Sequence, residues 1–305
     1  MRHLLTIEGV EREELEGILN DADGFVDVLA RPIPKVPALR GKTVTTAFFE
    51  ASTRTRLSFE KAAKALSADT MSFSPGTSSL SKGESLKDTV LTLQAMGSDL
   101  MVIRHSATGA AARVAEWLSI PVVNGGDGQH QHPTQALLDS LTIRRHFGKV
   151  EGLRIAVVGD IRHSRVARSN LMAFATLGAE VTLVAPRTLQ PLDVTGWPVA
   201  VTGDLDDVLG DMEVVYLLRV QAERGGASVF PSIPEYVTRY GMTRERFARL
   251  RPEAIVMHPG PMNRGVEIAP EVADDPRCLV LDQVSHGVAV RMAVLFRLLG
   301  GEIDE

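Results

Sequence analysis

Short runs of aliphatic and β-branched residues recur along the chain and alternate with segments in which apolar residues have helical spacing. Runs of about four to eight such residues are typical of strands buried on both faces of a parallel sheet. We predict strands at 42–49, 69–73, 99–106, 120–126, 153–160, 180–185, 213–218, 251–257 and 278–281. Helical spacing is clearest at 11–29, 58–66, 110–118, 134–147 and 287–299. The alternation predicts an α/β fold with two doubly wound parallel-sheet domains.

The stretch 148–152 contains two glycines and separates two series of strands and helices. We therefore predict a first domain at 1–147 and a second domain at 148–284. The C-terminal segment 285–305 is apolar enough to pack back on the first domain and complete it. Ligands of open α/β sheets bind beyond the carboxyl ends of the strands, so we expect the site in a cleft between the two domains.

Hydroxyl and guanidinium groups cluster directly after the predicted strand at 42–49, at Ser52, Thr53, Arg54 and Thr55. An alanine-rich helical segment follows them, which places the cluster at a helix N-terminus. Unpaired N–H groups and the positive end of the helix dipole favour an anion there, and the planar fork of Arg54 matches phosphate oxygens. The plainer alternative is that Ser52 or Thr53 only caps the helix. The cluster predicts a phosphate site.

Further polar side chains follow other predicted strands at the same edge of their sheets. They are Arg104, Arg165, Arg219 and Gln221. Together with Lys82, the arginines suit a pair of substrates that carry several negative charges. Such a cluster would also steer anions to the site despite the net charge of −5.

His132 and Gln135 lie three positions apart around a helix start that Pro133 favours. A neutral imidazole and an amide can donate hydrogen bonds to a carbonyl oxygen, which is what an oxyanion-stabilising site requires. A purely structural histidine is the alternative. A zinc site with His130 is disfavoured because no cysteine or carboxylate stands at zinc-like spacing.

The stretch 74–85 is rich in glycine, serine and proline, and it predicts a loop. Ser79 and Lys82 place a hydroxyl and an ammonium group on this loop. A surface loop without a role is the alternative, but these two groups would let the loop close over an anion.

The amino-acid composition excludes several classes of protein. The chain has 305 residues, of which 44% are hydrophobic, 23% charged and 5% aromatic, as expected for a globular protein of two domains. The negative net charge argues against a general nucleic-acid binder. No apolar run is long enough for a membrane helix and the N-terminus lacks a signal sequence, so we expect a cytoplasmic protein. A single cysteine, Cys278, excludes a disulfide framework.

The predicted strand at 153–160 ends in Gly159 and Asp160, which invites a dinucleotide-binding interpretation. No Gly-x-Gly-x-x-Gly pattern follows, and arginines stand there instead. A carboxylate ligand fits better than a pyrophosphate, which disfavours a nicotinamide dehydrogenase. A non-catalytic anion-binding protein of the same fold stays open as an alternative.

Five motifs resemble, in order and spacing, the catalytic chains of the aspartate carbamoyltransferase family. They are Ser52-Thr53-Arg54-Thr55-Arg56, Arg104-His105, His132-Pro133-Thr134-Gln135, Arg219-Val220-Gln221 and His258-Pro259-Gly260-Pro261. The first and third are shared with ornithine carbamoyltransferases and identify only the superfamily. The Arg219 motif points to aspartate, since ornithine brings a cation and aspartate a further carboxylate. The Ser-Met-Gly and His-Cys-Leu-Pro motifs expected of ornithine enzymes do not occur.

The resemblance implies a role for each matched residue. Ser52, Thr53, Arg54 and Thr55 would bind the phosphate of carbamoyl phosphate, and Arg104, His132 and Gln135 its carbamoyl end. Arg165, Arg219 and Gln221 would bind the aspartate carboxylates. Ser79 and Lys82 would enter from the neighbouring subunit of a catalytic homotrimer, with Lys82 also near aspartate. The backbone at Pro259 and Gly260 would contact substrate.

The activity implied is transfer of a carbamoyl group to the α-amine of L-aspartate, the committed step of pyrimidine biosynthesis, with no cofactor and no metal. A carbamoyltransferase for another amino acid such as ornithine is the nearest alternative. Regulatory chains or a dihydroorotase stay open as further partners.

Overall fold

The chain divides into two compact units in the computed structural model, which describes residues 1–74, 84–220 and 232–300. The first unit comprises Met1–Leu141 and the chain from Ser285 onward, and the second comprises Thr142–Val284. The boundary at residues 147 and 148 between two substrate-binding domains stays a prediction.

The first unit contains a four-stranded parallel sheet in the order β2-β1-β3-β4. Its strands are β1 (Thr43–Phe48), β2 (Asp69–Phe73), β3 (Leu100–His105) and β4 (Val122–Asp127). Every residue of β4 is buried, including Asn124 and Asp127, and the Asn124 amide donates to the Asp127 carboxylate. The register sets Phe48 opposite Arg104 and His105 opposite Asp127, so the carboxyl ends of β1, β3 and β4 are neighbours.

Helices of the first unit are α1 (Arg12–Leu29), α2 (Thr53–Ala65), α3 (Leu86–Ala95), α4 (Ala110–Trp117), α5 (Pro133–Phe147) and α10 (Val280–Leu299). The division between the units falls within α5 and α10. One apolar cluster joins the sheet to α3 and α4 through Ile103, Val90 and Val114. The rings of Phe25 on α1 and Phe296 on α10 meet edge to face with centroids 5.8 Å apart.

The second unit contains a five-stranded parallel sheet in the order β7-β6-β5-β8-β9. Its strands are β5 (Arg154–Val158), β6 (Glu180–Val184), β7 (Val199–Thr202), β8 (Val214–Leu217) and β9 (Ile255–Met257). The helices are α6 (Arg165–Thr176), α7 (Ile233–Tyr240), α8 (Arg244–Arg249) and α9 (Pro270–Ala273). The prediction of two parallel α/β domains is confirmed.

The predicted strand at 278–281 is wrong. Cys278 makes only an isolated bridge with Val256, and helix α10 already begins at Val280. The run Cys278 to Leu281 is apolar because it enters an apolar helix, a case in which hydrophobicity alone does not separate strand from helix. Among the described helices, none is both long enough and apolar enough to cross a membrane.

Candidate active site

The predicted phosphate cluster lies at the start of α2, immediately beyond the carboxyl end of β1. Ser52 is the N-cap residue, with φ −160° and ψ 96°. Thr53 and Arg54 are exposed, whereas Thr55 is buried and accepts a hydrogen bond at its carbonyl oxygen from the Ser58 hydroxyl, at 2.9 Å. The first turn therefore presents hydroxyl and guanidinium groups together with backbone N–H donors.

Ser52 makes no side-chain capping hydrogen bond, although it occupies the capping position. Three other helices are capped in the usual way, by the hydroxyls of Ser85, Ser164 and Thr243, which accept from backbone N–H groups at 3.2, 3.1 and 3.3 Å. The alternative that Ser52 serves only as a cap is therefore not supported. Its hydroxyl is not committed to the helix, which suits an anion ligand at this end.

Arg104 stands at the end of β3, next to the β1 end that leads into the phosphate cluster. Its side chain is only 12% exposed, and its guanidinium donates to the Gly125 carbonyl at 3.2 Å and to the Glu50 carboxylate at 3.4 Å. These two acceptors fix the orientation of the Arg104 guanidinium group. The adjacent His105 has its pKa lowered by burial, against the opposing charges of Glu50 and Asp127, so its ring is neutral near pH 7.

His132 lies directly before α5 and is buried, with 4% of its surface exposed. The turn that carries it is organised by Asp127, a fully buried carboxylate at the end of β4. Asp127 accepts from the Gly109 N–H at 2.7 Å, the Asn124 amide at 2.8 Å and the Gln131 N–H at 3.1 Å. The His130 ring nitrogen Nδ1 lies 3.1 Å from the same carboxylate. His130 therefore has a structural partner in Asp127.

Gln135 lies in the first turn of α5 and is 9% exposed. Its Nε2 donates to Oδ1 of Asp139, one helical turn later, at 3.0 Å. A carboxylate only accepts, so this contact fixes which end of the amide faces Asp139. The fold thus brings the phosphate cluster, Arg104, His132 and Gln135 to the ends of three neighbouring strands of one sheet.

Arg165 is the first residue of α6 in the second unit, and it is buried. The preceding turn is held by Asp160, whose carboxylate accepts from the His163 N–H at 3.2 Å and lies 2.9 Å from its ring Nδ1. Ser164 caps the helix through its hydroxyl. The guanidinium is therefore presented by a turn with its own internal hydrogen bonds.

Arg219 follows β8 and is half-buried. The next residue, Val220, accepts at its carbonyl oxygen from the Asn263 side chain at 3.3 Å. This contact ties the end of β8 to the loop after β9, where Pro259 and Gly260 stand. Arg165, Arg219 and this loop therefore follow β5, β8 and β9, which are neighbours in the second sheet.

His258 organises the loop that carries Pro259 and Gly260. Its ring is buried, Nδ1 accepts from the Gly260 N–H at 2.8 Å, and Nε2 lies 3.1 Å from the buried Glu267 carboxylate. Since Nδ1 is an acceptor, Nε2 carries the proton and donates to Glu267. Gly260 has φ +66°, a left-handed conformation that favours glycine.

Three of the predicted site residues, Ser79, Lys82 and Gln221, lie outside the described ranges. Conversely, four acidic residues that accept hydrogen bonds from the groups around the candidate site were not predicted from the sequence. They are Glu50, Asp127, Asp139 and Glu267. One signal was present for Asp127, because a carboxylate that directly follows the predicted strand at 120–126 needs several hydrogen-bond donors when it is buried. The others depend on contacts between distant segments.

Each set of residues fits one kind of chemistry. In the first unit, a helix N-terminus with hydroxyl and guanidinium donors suits a phosphate, and a fixed guanidinium, imidazole and amide suit a carbonyl group. In the second unit, two guanidinium groups beside an ordered loop suit carboxylates.

Comparisons with known proteins agree with this chemistry. Residues 2–145 match the family "Aspartate/ornithine carbamoyltransferase, carbamoyl-P binding domain". Residues 151–298 match the family "Aspartate/ornithine carbamoyltransferase, Asp/Orn binding domain". A curated relative from Thermobifida fusca, named aspartate carbamoyltransferase catalytic subunit, is 60% identical over 303 residues, which cover 99% of this chain and 97% of the relative.

Solved structures of aspartate transcarbamoylases are also similar to this chain. The catalytic subunit of M. jannaschii aspartate transcarbamoylase is 36% identical, with a TM-score of 0.86 over 98% of both chains. Aspartate transcarbamoylase from Trypanosoma cruzi, solved with carbamoyl phosphate and aspartate, is 31% identical, with a TM-score of 0.88 over 97% of this chain and 96% of that one.

Proposed function

Because the chain belongs to the aspartate/ornithine carbamoyltransferase family, we propose that it transfers the carbamoyl group of carbamoyl phosphate to the α-amine of L-aspartate. The products are N-carbamoyl-L-aspartate and phosphate, which makes the reaction the committed step of pyrimidine biosynthesis. The observation that carries the proposal is the start of α2. There the Ser52 hydroxyl makes no capping hydrogen bond, and Arg104 lies at the end of the neighbouring strand β3.

The first unit binds carbamoyl phosphate in this proposal. Ser52, Thr53, Arg54 and Thr55 hold the phosphate through hydroxyl, guanidinium and backbone N–H donors. Arg104, His132 and Gln135 hold the carbamoyl end. What supports this assignment is that these residues follow three neighbouring strands, and that buried acceptors hold Arg104 and Gln135 in place.

The reaction needs no protein nucleophile. The deprotonated amine attacks the carbamoyl carbon, a C–N bond forms, and a tetrahedral intermediate carries negative charge on the former carbonyl oxygen. Arg104 and His132 stabilise that oxyanion. The C–O bond to phosphate then breaks as the phosphate takes the proton of the amine, so that it leaves as the hydrogenphosphate dianion, and Arg54 stabilises the charge on the departing group. Positioning of the two substrates supplies much of the remaining rate enhancement.

The second unit selects the amino acid. Arg165, Arg219 and Gln221 bind the two carboxylates of aspartate, and the backbone at Pro259 and Gly260 contacts the reacting groups. An arginine at position 219 favours an acceptor with a negative side chain over ornithine, whose side chain is cationic. The ordered contact between Val220 and Asn263 supports a joint role for the β8 end and the loop after β9.

The proposal includes an assembly. The active form is a homotrimer of catalytic chains in the cytoplasm, in which Ser79 and Lys82 complete the site of a neighbouring subunit, with Lys82 contacting both substrates. Regulatory chains or a dihydroorotase are compatible further partners.

The test is an assay of the purified chain with carbamoyl phosphate and either L-aspartate or L-ornithine as acceptor. We expect carbamoyl-aspartate to form and no citrulline. Citrulline alone would refute the assignment of Arg219 while leaving the carbamoyl phosphate site intact. Absence of both products, at substrate concentrations in the millimolar range, would refute the proposed reaction for the isolated chain.

A further inference from the structure

Asn124 is a polar residue within β4, the strand in which every residue is buried. The residue has 0% of its surface exposed. Burial of an amide group costs free energy unless its hydrogen bonds are formed, so an asparagine at this position requires an explanation. None of the roles proposed above uses it.

The side-chain amide of Asn124 has partners for both its donors and for its acceptor. Its Nδ2 donates to the Leu5 carbonyl at 2.9 Å and to Oδ1 of Asp127 at 2.8 Å. Its Oδ1 accepts from the Gly126 N–H at 2.8 Å. A carbonyl and a carboxylate only accept, so these contacts fix which end of the amide is which. An aspartate would set a carboxylate against two acceptors, and an aliphatic side chain would leave all three partners without this contact.

The Leu5 carbonyl belongs to an N-terminal segment that lies parallel to β4. The Leu4 N–H donates to the Val122 carbonyl at 2.9 Å, and the Leu4 carbonyl accepts from the Asn124 N–H at 2.8 Å. Leu4 is buried, with 1% of its surface exposed. The Asn124 amide therefore joins a fixed neighbouring segment to the end of its own strand.

The strand end that this amide holds makes two contacts with the candidate site. The Gly125 carbonyl accepts from the Arg104 guanidinium at 3.2 Å. Asp127 holds Gln131 by two hydrogen bonds, because its carboxylate accepts from the Gln131 N–H at 3.1 Å and its own N–H donates to the Gln131 carbonyl at 3.2 Å. The residue after Gln131 is His132. One strand end therefore sets the positions of both donors assigned to the carbamoyl oxygen.

We propose that Asn124 is a positioning residue for the carbamoyl end of the site, an inference that rests on the proposed function. Its amide holds Gly125 and Asp127 in the arrangement that presents Arg104 and His132 to the carbamoyl group. Because Asn124 is fully buried, it touches no substrate and acts only through these residues. Its loss should therefore affect the reaction of the carbamoyl group and spare the binding of phosphate.

The test compares Asn124→Ala with the wild type in two measurements on the full chain. Displacement of a catalytic group by about 1 Å can cost about a hundredfold in rate, so we expect kcat for carbamoyl-aspartate formation to fall roughly tenfold to a hundredfold. The phosphate cluster follows β1, which β3 separates from β4. Calorimetry should therefore show a change of less than about threefold in the Kd for inorganic phosphate.

Ser98→Ala is the matched control. The Ser98 hydroxyl is buried and donates to the Leu100 carbonyl at 3.1 Å, at the amino end of β3. Its removal deletes a buried hydrogen bond from the same sheet, but at the end opposite to the candidate site. We expect a lower temperature of thermal unfolding and an unchanged kcat.

An unchanged kcat in folded Asn124→Ala would overturn the inference and leave the proposed function intact. Parallel losses of kcat and of phosphate affinity would also overturn it, because that pattern indicates a general loosening of the first unit. If Asn124→Ala fails to fold, Asn124→Ser carries the test, since its hydroxyl can keep one hydrogen bond, and kcat should then fall about threefold to tenfold with phosphate affinity retained. An inactive wild-type chain would overturn the proposed function and this inference with it.

Discussion

The two units place their candidate residues in the same way but hold them differently. In each, candidate side chains follow three neighbouring parallel strands: β1, β3 and β4 in the first, and β5, β8 and β9 in the second. The first unit fixes these side chains with buried carboxylates, through Asp127 and Asp139. The second fixes a loop backbone through a neutral imidazole and a carboxylate, His258 and Glu267.

This difference corresponds to the different chemical tasks proposed for the two units. Charge develops on the carbamoyl oxygen and on the leaving phosphate during the reaction, so donors there are most effective when they are rigid before the substrate arrives. Carboxylates of the acceptor keep their charge throughout, so the groups that bind them contribute mainly to affinity and selectivity. Substitutions in the two units should therefore affect different kinetic constants.

Arg54→Ala is expected to have the largest effect. Arg54 would stabilise the leaving phosphate in the transition state, and removal of such a donor typically costs about 10²–10³ in rate. We expect kcat to fall by that factor at saturation with both substrates, measured as carbamoyl-aspartate formed per second. A rise in KM for carbamoyl phosphate with kcat unchanged would show that Arg54 only binds the ground state.

Arg219→Ala should mainly affect the acceptor. Loss of a hydrogen bond to a charged group is expected to raise KM for aspartate by roughly tenfold to a hundredfold, with a much smaller change in kcat. The affinity for phosphate, measured by calorimetry, should not change. Arg249→Ala is the control, since Arg249 is an exposed arginine of the same unit. An effect of Arg219→Ala on kcat as large as that of Arg54→Ala would contradict the proposal that the two units affect different kinetic constants.

Gly260→Ala should have the smallest of the three effects. Its left-handed φ of +66° costs alanine roughly 1–2 kcal/mol, and relaxation of the loop would displace its substrate contacts. We expect kcat/KM to fall about tenfold. Gly265→Ala is the control, with φ +85° and open space around the position. Thermal unfolding should shift to a similar extent in both variants, and a similar loss of activity in both would argue against a role for the loop at Gly260.

Most of the fold could be predicted because strands buried on both faces leave continuous apolar runs in the sequence. β7 was missed because it is only partly buried and follows Pro198, which resembles a loop. The strand expected at 278–281 was wrong because the beginning of an apolar helix has the same composition. The hydrophobic pattern therefore failed at a partly exposed strand that follows a proline and at the start of an apolar helix.

The strand-end residues could be predicted as candidates since each lies at the end of an apolar run or in the polar segment that follows it. Asp139 and Arg291 could not be assigned, because periodicity does not report which groups surround a buried charge after folding. A weaker signal was present. A charged residue in the middle of an apolar helix, as Arg291 is, indicates by its position in the sequence that it needs a buried partner.

The lack of a side-chain capping hydrogen bond at the start of α2 would also affect the lifetime of the folded chain. The hydroxyls of Ser85, Ser164 and Thr243 cap their helices whether or not a ligand is bound, whereas α2 would depend for part of that stabilisation on a bound phosphate group. A ligand that binds only the folded state raises the free energy of unfolding as its concentration rises above the dissociation constant. In a cell, depletion of carbamoyl phosphate would then both slow the reaction and increase the fraction of the chain that is open to proteolysis, so the enzyme's abundance would follow its substrate.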